Sequence, residues 1–216
     1  IKPIIEGMKI SVKSMNSSAA ERETHRMDTD MSTKSVLIVF AIILIGLVIT
    51  FWDFVSAVPI SAGLMWTLVV VGVVVALLIG FFVAAACGYM AGLIGTSASP
   101  ISGIGILATI ISSLVVYFIA SENNLFATEA GVQFATAMAI FMTSVVIAIA
   151  SISNDNLQDL KTGQLVGATP WRQQIALLLG SVAGAIAIAP VLNLLYQAYG
   201  FTGALPRAEM DPNAAL

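Results

Sequence analysis

Two polar islands hold the side chains able to do chemistry in this chain. The first lies in SISNDNLQDLKTGQLVGATPWRQQ, residues 151–174, where positions 154–162 pack two aspartates, two asparagines and a glutamine into nine residues. Continued as a helix, this stretch sets Asp155 and Asp159 one turn apart on one face, with Gln158 and Thr162 paired in the same way. Carboxylates so placed can take up a proton or hold a cation, and Asn154, Asn156 and Gln158 can hydrogen-bond a polar ligand. Lys161 adds a cation. The bland alternative is structural: Asp155 or Asp159 pairs with Lys161 or Arg172 at a membrane boundary, where an unpaired carboxylate is costly unless it faces water.

The second island is GLIGTSASPISGIG, residues 92–105. Ser99 before Pro100 reads as an N-cap and first helical position, so a helix starts there. Its free N–H groups and partial positive charge suit an anionic ligand group. Ser97, Ser99 and Ser102 would add hydroxyls, and Gly95, Gly103 and Gly105 would allow close backbone approach. An ordinary turn between helices is the competing reading.

Both islands interrupt an apolar chain. Its 216 residues are 58% hydrophobic and 10% charged, against about 25% charged in soluble domains. Apolar runs near twenty residues match about 30 Å of hydrocarbon. The expected fold is therefore all-α, a polytopic helical membrane protein with a Gly/Ser/Pro helix break. A net charge of −3 gives no nucleic-acid footprint. One histidine, His25, and one cysteine, Cys87, make neither a disulfide nor a soft metal site. No cofactor is expected, and Cys87 reads as a small packing residue.

Five spans are expected, at about 35–52, 61–94, 100–120, 128–152 and 171–198. The second would reach about 51 Å as one helix, so it tilts, protrudes or breaks, with Gly88, Gly92 and Gly95 as the break region. Asp53 and Pro59 punctuate the first connection, and Gly163 and Gly167 end the polar string before Thr169-Pro170 caps the last span. The pairs Gly88/Gly92 and Gly180/Gly184 fit close helix packing. Residues 1–34 hold six of the nine Lys and Arg, so they are expected on the cytoplasmic side, as is the connection bearing Lys161 and Arg172. Within them, Ile5, Met8, Val12 and Met15, with Lys9 and Lys13 off that stripe, suggest either a short interfacial helix or a solvated loop. Residues 199–216 read as a polar tail or loop. The chain opens on Ile1 without a signal peptide, and we expect an internal piece of a longer polypeptide.

NDNLQDLKTGQLVGATPWRQQ resembles the hallmark segment of the oligopeptide transporter (OPT) family, especially its prokaryotic branch. GTSASPISG resembles that family's Gly/Ser-Pro-Ser-Gly segment, and LLYQAYGF and LPRAEMDPNAAL resemble later segments of the same branch. The likeness runs in order across most of residues 20–216. Asn154 stands where a glycine is expected, and Ala98 where an asparagine is frequent. The resemblance implies a secondary transporter larger than 216 residues, importing short peptides or metal–chelate complexes with protons. It implies a bacterial inner-membrane location. The partners implied are the lipid bilayer, the small peptide or chelate, protons, the rest of a longer chain and, in a homo-oligomer, further copies. The site set expected is Ser97, Ser99, Pro100, Ser102, Gly103, Asn154, Asn156, Gln158, Lys161 and Thr162 for ligand or pathway, with Asp155 and Asp159 for proton coupling, around a midplane site.

Two other classes compete. An intramembrane enzyme would want a nucleophile or metal pair, and neither H-E-x-x-H nor G-x-S-x-G occurs. A structural subunit of a membrane complex would not need the polar density of 154–162.

Overall fold

The computed structural model describes residues 26–199. The stripe of Ile5, Met8, Val12 and Met15, His25 and the 200–216 tail lie outside the described residues. Five long helices follow one another: α1 (Thr33–Ser56), α2 (Ala62–Ile94), α3 (Ile101–Glu122), α4 (Glu129–Val166) and α5 (Pro170–Tyr199). No strand occurs among the described residues. All five are long and apolar enough to cross a membrane. In lipid the backbone must satisfy its own hydrogen bonds, which is why apolar runs of this length become helices.

Local chemistry sets the ends. Ser32 Oγ accepts from Ser35 N at 3.2 Å, and Ser61 Oγ from Leu64 N at 3.4 Å, so each serine caps a helix start. Thr128 does the same for α4 through Gly131 N at 3.1 Å. Asp53 does not end α1; it lies exposed within the last turn, and the helix runs on to Ser56. α2 is continuous for 33 residues, about 50 Å. Gly88 and Gly92 do not break it. Gly95 does, with φ at +97°, a conformation that side chains with a Cβ rarely adopt. Gly163 is buried inside α4, and the helix ends only at Gly167, whose φ is +74°. The polar string thus prolongs α4 to 38 residues, because Asn, Asp and Gln at its C-terminal end still complete the helical hydrogen-bond ladder.

The chain forms two compact units, residues 1–171 and 172–216. In the first, α2 and α4 run parallel and pack along their lengths, α3 lies antiparallel against α4, and α1 packs on α2. The end nearest the start of α2 is aromatic. Phe51 and Val55 of α1 are fully buried among Leu64, Leu68, Phe134 and Met138. Phe54 stacks on Phe141 with centroids 4.4 Å apart. Gly72 makes room for this, since a Cβ there would overlap the Phe51 ring. The opposite end, near the close of α2, is built from small residues: Cys87, Gly88 and Ala91 are buried. The second unit consists of the α5 helix from Arg172 on, with Pro190 inside it.

Candidate functional site

The two polar islands meet at the small-residue end. After Gly95 the chain makes a 3-10 turn, Thr96–Ala98, and α3 starts beyond Pro100. This turn lies against the last third of α4. Gln158 Oε1 accepts from Thr96 N at 2.8 Å. Ser99 Oγ donates to Asn154 Oδ1 and also approaches Cys87 O at 3.4 Å. One helical turn separates Asn154 from Gln158, so one face of α4 grips the turn at both ends. Below it, Ser153 Oγ donates to Ala84 O at 2.7 Å. Gly88 lets α4 come this close: a Cβ there would sit 2.9 Å from Ser153 Oγ and 3.2 Å from Leu157 Cδ2.

These contacts revise the sequence-based roles. Ser99 is not the N-cap of α3. Pro100 holds that position, and no side chain caps the helix. The reason is orientation: Ser99 Oγ is turned toward the amide oxygen of Asn154, a residue only 3% exposed, and toward Cys87 O, and it accepts no first-turn N–H. Ser97, Ser102, Gly103 and Pro100 are exposed, and the first-turn N–H groups of Ser102 and Gly103 have no side-chain cap. Asn156 is half-buried. Asp155, Asp159, Lys161 and Thr162 are exposed. The aspartates lie about 100° round α4 from the gripping amides. Lys161 Nζ donates to Gln164 Oε1 at 3.1 Å, and among the described residues no ion pair joins it to Asp155 or Asp159.

The islands therefore come together as two faces with different work. Asn154 and Gln158 hold the turn. Asp155, Asp159 and Thr162 form an exposed stripe beside it. Of the two glycine pairs, only Gly88 packs closely. A Cβ at Gly92, Gly180 or Gly184 would meet nothing within 4 Å among the described residues.

Three features were not read from the sequence. Ser153 and the carbonyl of Ala84 join α2 to α4, for which the only sequence signal is a serine beside Asn154 facing a small-residue run. Arg26 Nη2 donates to Gly167 O at 2.7 Å, and Trp171 N donates to Thr29 O at 3.3 Å. Residues 26–29 therefore lie over the end of α4. The third is an open groove of about 470 Å³ between α3 and α4, bordered by Ser102, Gly105, Thr109 and Ile147. It reaches the start of α3 and is mostly apolar. α3 itself has 22 residues, about 33 Å. It is a full-length span and not a half-helix, so the break sits toward one end of the bundle and not at its middle.

Among the described residues no cluster of His, Cys, Asp and Glu could hold a metal ion. A family model described as OPT oligopeptide transporter protein matches residues 2–215. A Haemophilus influenzae protein, curated under the provisional name of oligopeptide transporter, is 54% identical over the whole of this chain. The chain spans 34% of that relative's length. No solved structure matches.

Proposed function

The chain belongs to the OPT oligopeptide transporter family, and on that premise we propose that it works as part of a secondary active transporter, importing short oligopeptides or related metal–chelate complexes with protons. The family supplies the class of activity, and the site supplies the roles. Ser102 and Gly103 are exposed at a helix start without a side-chain cap, where a ligand carboxylate is favoured by hydrogen bonds and by the helix dipole. Asp155 and Asp159 lie exposed one turn apart, suited to carrying a proton. The carrying observation is the junction of the two islands: a helix start and an acidic stripe are held together by Asn154 and Gln158.

Arg26 and Thr29 contact Gly167 and Trp171, which supports reading the start of α1 and the Lys161 connection as lying on one side of the membrane. The Lys and Arg residues there, against none in the 53–60 and 121–128 connections, support a cytoplasmic location for that side. The polar junction would then be the inner mouth of the pathway, in the inner membrane of a bacterium. A structural subunit is the second reading. It is favoured by one observation, the internal use of both amide oxygens.

The test uses the full-length protein in proteoliposomes with an inward proton gradient, following labelled short peptides beside a labelled iron chelate. Gradient-dependent uptake of either supports transport and selects the substrate branch. No uptake of either by folded protein rejects transport in favour of the structural reading.

A further inference from the structure

We infer that Asn154 and Gln158 are positioning residues: they aim the start of α3 at the ligand and do not touch the ligand themselves. This rests on the reading that the Ser102 and Gly103 N–H groups receive a ligand carboxylate. Residue type alone suggests a direct ligand role for these amides, but the geometry gives their oxygens to the turn. Gln158 Oε1 takes the Thr96 N–H at 2.8 Å, and Asn154 Oδ1 takes the Ser99 hydroxyl. Beyond these and the longer approach of Ser99 Oγ to Cys87 O at 3.4 Å, no other hydrogen bond fixes the turn to a neighbouring helix among the described residues. It is three residues long, it follows a glycine at φ +97°, and neither it nor α3 has a side-chain cap. Its own backbone bonds, Ala98 N to Gly95 O at 3.3 Å and Ser99 N to Thr96 O at 3.1 Å, close the loop without tying it to a neighbour.

The amides, in contrast, are firmly placed. Ser153 bonds Ala84 O, and Leu157 lies over Gly88, so α4 cannot rotate on α2 without losing both contacts. Asn154 and Gln158 sit between and beyond these anchors, one turn apart. The direction of α3's first turn is thus inherited from α4. Because Asp155 and Asp159 each follow a gripping residue, any rotation of α4 that moves the acidic stripe also moves the grip.

The decisive property is an acceptor oxygen. In the full-length protein, Gln158→Glu keeps one and Gln158→Met removes it at nearly the same size. Hydrogen exchange of the segment around Thr96, read beside peptide uptake, tests the inference. Gln158→Met is expected to speed exchange at Thr96 by roughly five- to tenfold, as loss of one hydrogen bond allows. It should raise KM for peptide by a similar factor and leave the maximal rate within about twofold. Gln158→Glu should restore both. Ser99→Ala and Asn154→Ala should raise KM equally, with the double variant no worse than either, because both remove one bond.

Unchanged exchange in Gln158→Met overturns the inference. So does faster exchange with unchanged KM while wild-type uptake is present, since the grip would then aim nothing. Failure of Gln158→Glu to restore KM, with normal exchange, would assign the amide a direct ligand contact instead. Absence of uptake by the wild type rejects the transport reading itself, and this inference falls with it.

Discussion

Ser99 turns its hydroxyl to Asn154, 55 positions away, and not to the helix that begins beside it. A serine before a proline ordinarily caps the following helix. Here the hydroxyl is oriented by the amide oxygen it satisfies, which unpaired would cost about 1–3 kcal/mol, and in that orientation its lone pairs meet no first-turn N–H. α3 thus starts without a side-chain cap, and two amides of α4 hold the turn before it.

The close approach of α2 and α4 should depend on Gly88 more than on the hydrogen bond beside it. Ser153→Ala removes the bond to Ala84 O and is expected to cost about 0.6 kcal/mol, the average for such bonds between membrane helices. Gly88→Ala places a methyl 2.9 Å from Ser153 Oγ and 3.2 Å from Leu157, and should cost about 1–3 kcal/mol. Thermal unfolding in detergent checks the order. A larger loss for Ser153→Ala would mean that the helices are not held by close packing.

Gly131 is a second tight point, at the opposite end. A Cβ there would overlap the backbone carbonyl of Leu125, and a carbonyl in a 3-10 turn cannot swing aside as a side chain can. Gly131→Ala should therefore destabilise the α3–α4 connection by at least about 2 kcal/mol. Wild-type stability for this variant would show that the 125–127 turn yields freely.

Much of the scaffold is legible in the sequence because the bilayer leaves a chain few choices. Apolar runs become helices, Gly95 and Gly167 take left-handed conformations, and Pro170 opens a helix. The face of α4 that meets α2 is not legible in this way. Residues 154–159 carry polar groups on several sides, and the close approaches at Gly80 and Gly88 of α2, which the sequence does not pair with α4, go with Asn154 and Gln158 turning inward. The partners of the grip are 55 and 62 positions away, beyond any periodicity. Arg26 was hidden for a different reason: it lies in a polar segment whose composition describes a loop, and nothing local marks its contact with Gly167.

That contact makes its own prediction. Arg26 Nη2 meets a carbonyl at the C-terminal end of α4, where the helix dipole favours a cation. Arg26→Ala should free the 26–29 segment and speed hydrogen exchange at the Trp171 N–H, now donated to Thr29 O. Arg26→Lys should restore it only partly, since an ammonium lacks the guanidinium's planar array of donors. Equal exchange in Arg26→Ala and the wild type would show that the segment is held elsewhere.

Asp155 and Asp159 separate the proton reading from the structural one. Both are exposed on α4, so Asp155→Asn and Asp159→Asn should leave stability within about 0.5 kcal/mol. If either carries the proton, its replacement should lower gradient-driven uptake by roughly tenfold or more, the effect of losing about 1.4 kcal/mol at the limiting step. It should also flatten the pH dependence of uptake. Exchange of labelled for unlabelled peptide without a gradient should persist, because the peptide contacts proposed at the start of α3 are untouched. Proton-driven uptake with unchanged rate and unchanged pH profile in both variants would remove the aspartates from coupling. The acidic stripe would then be a solvated edge of the grip.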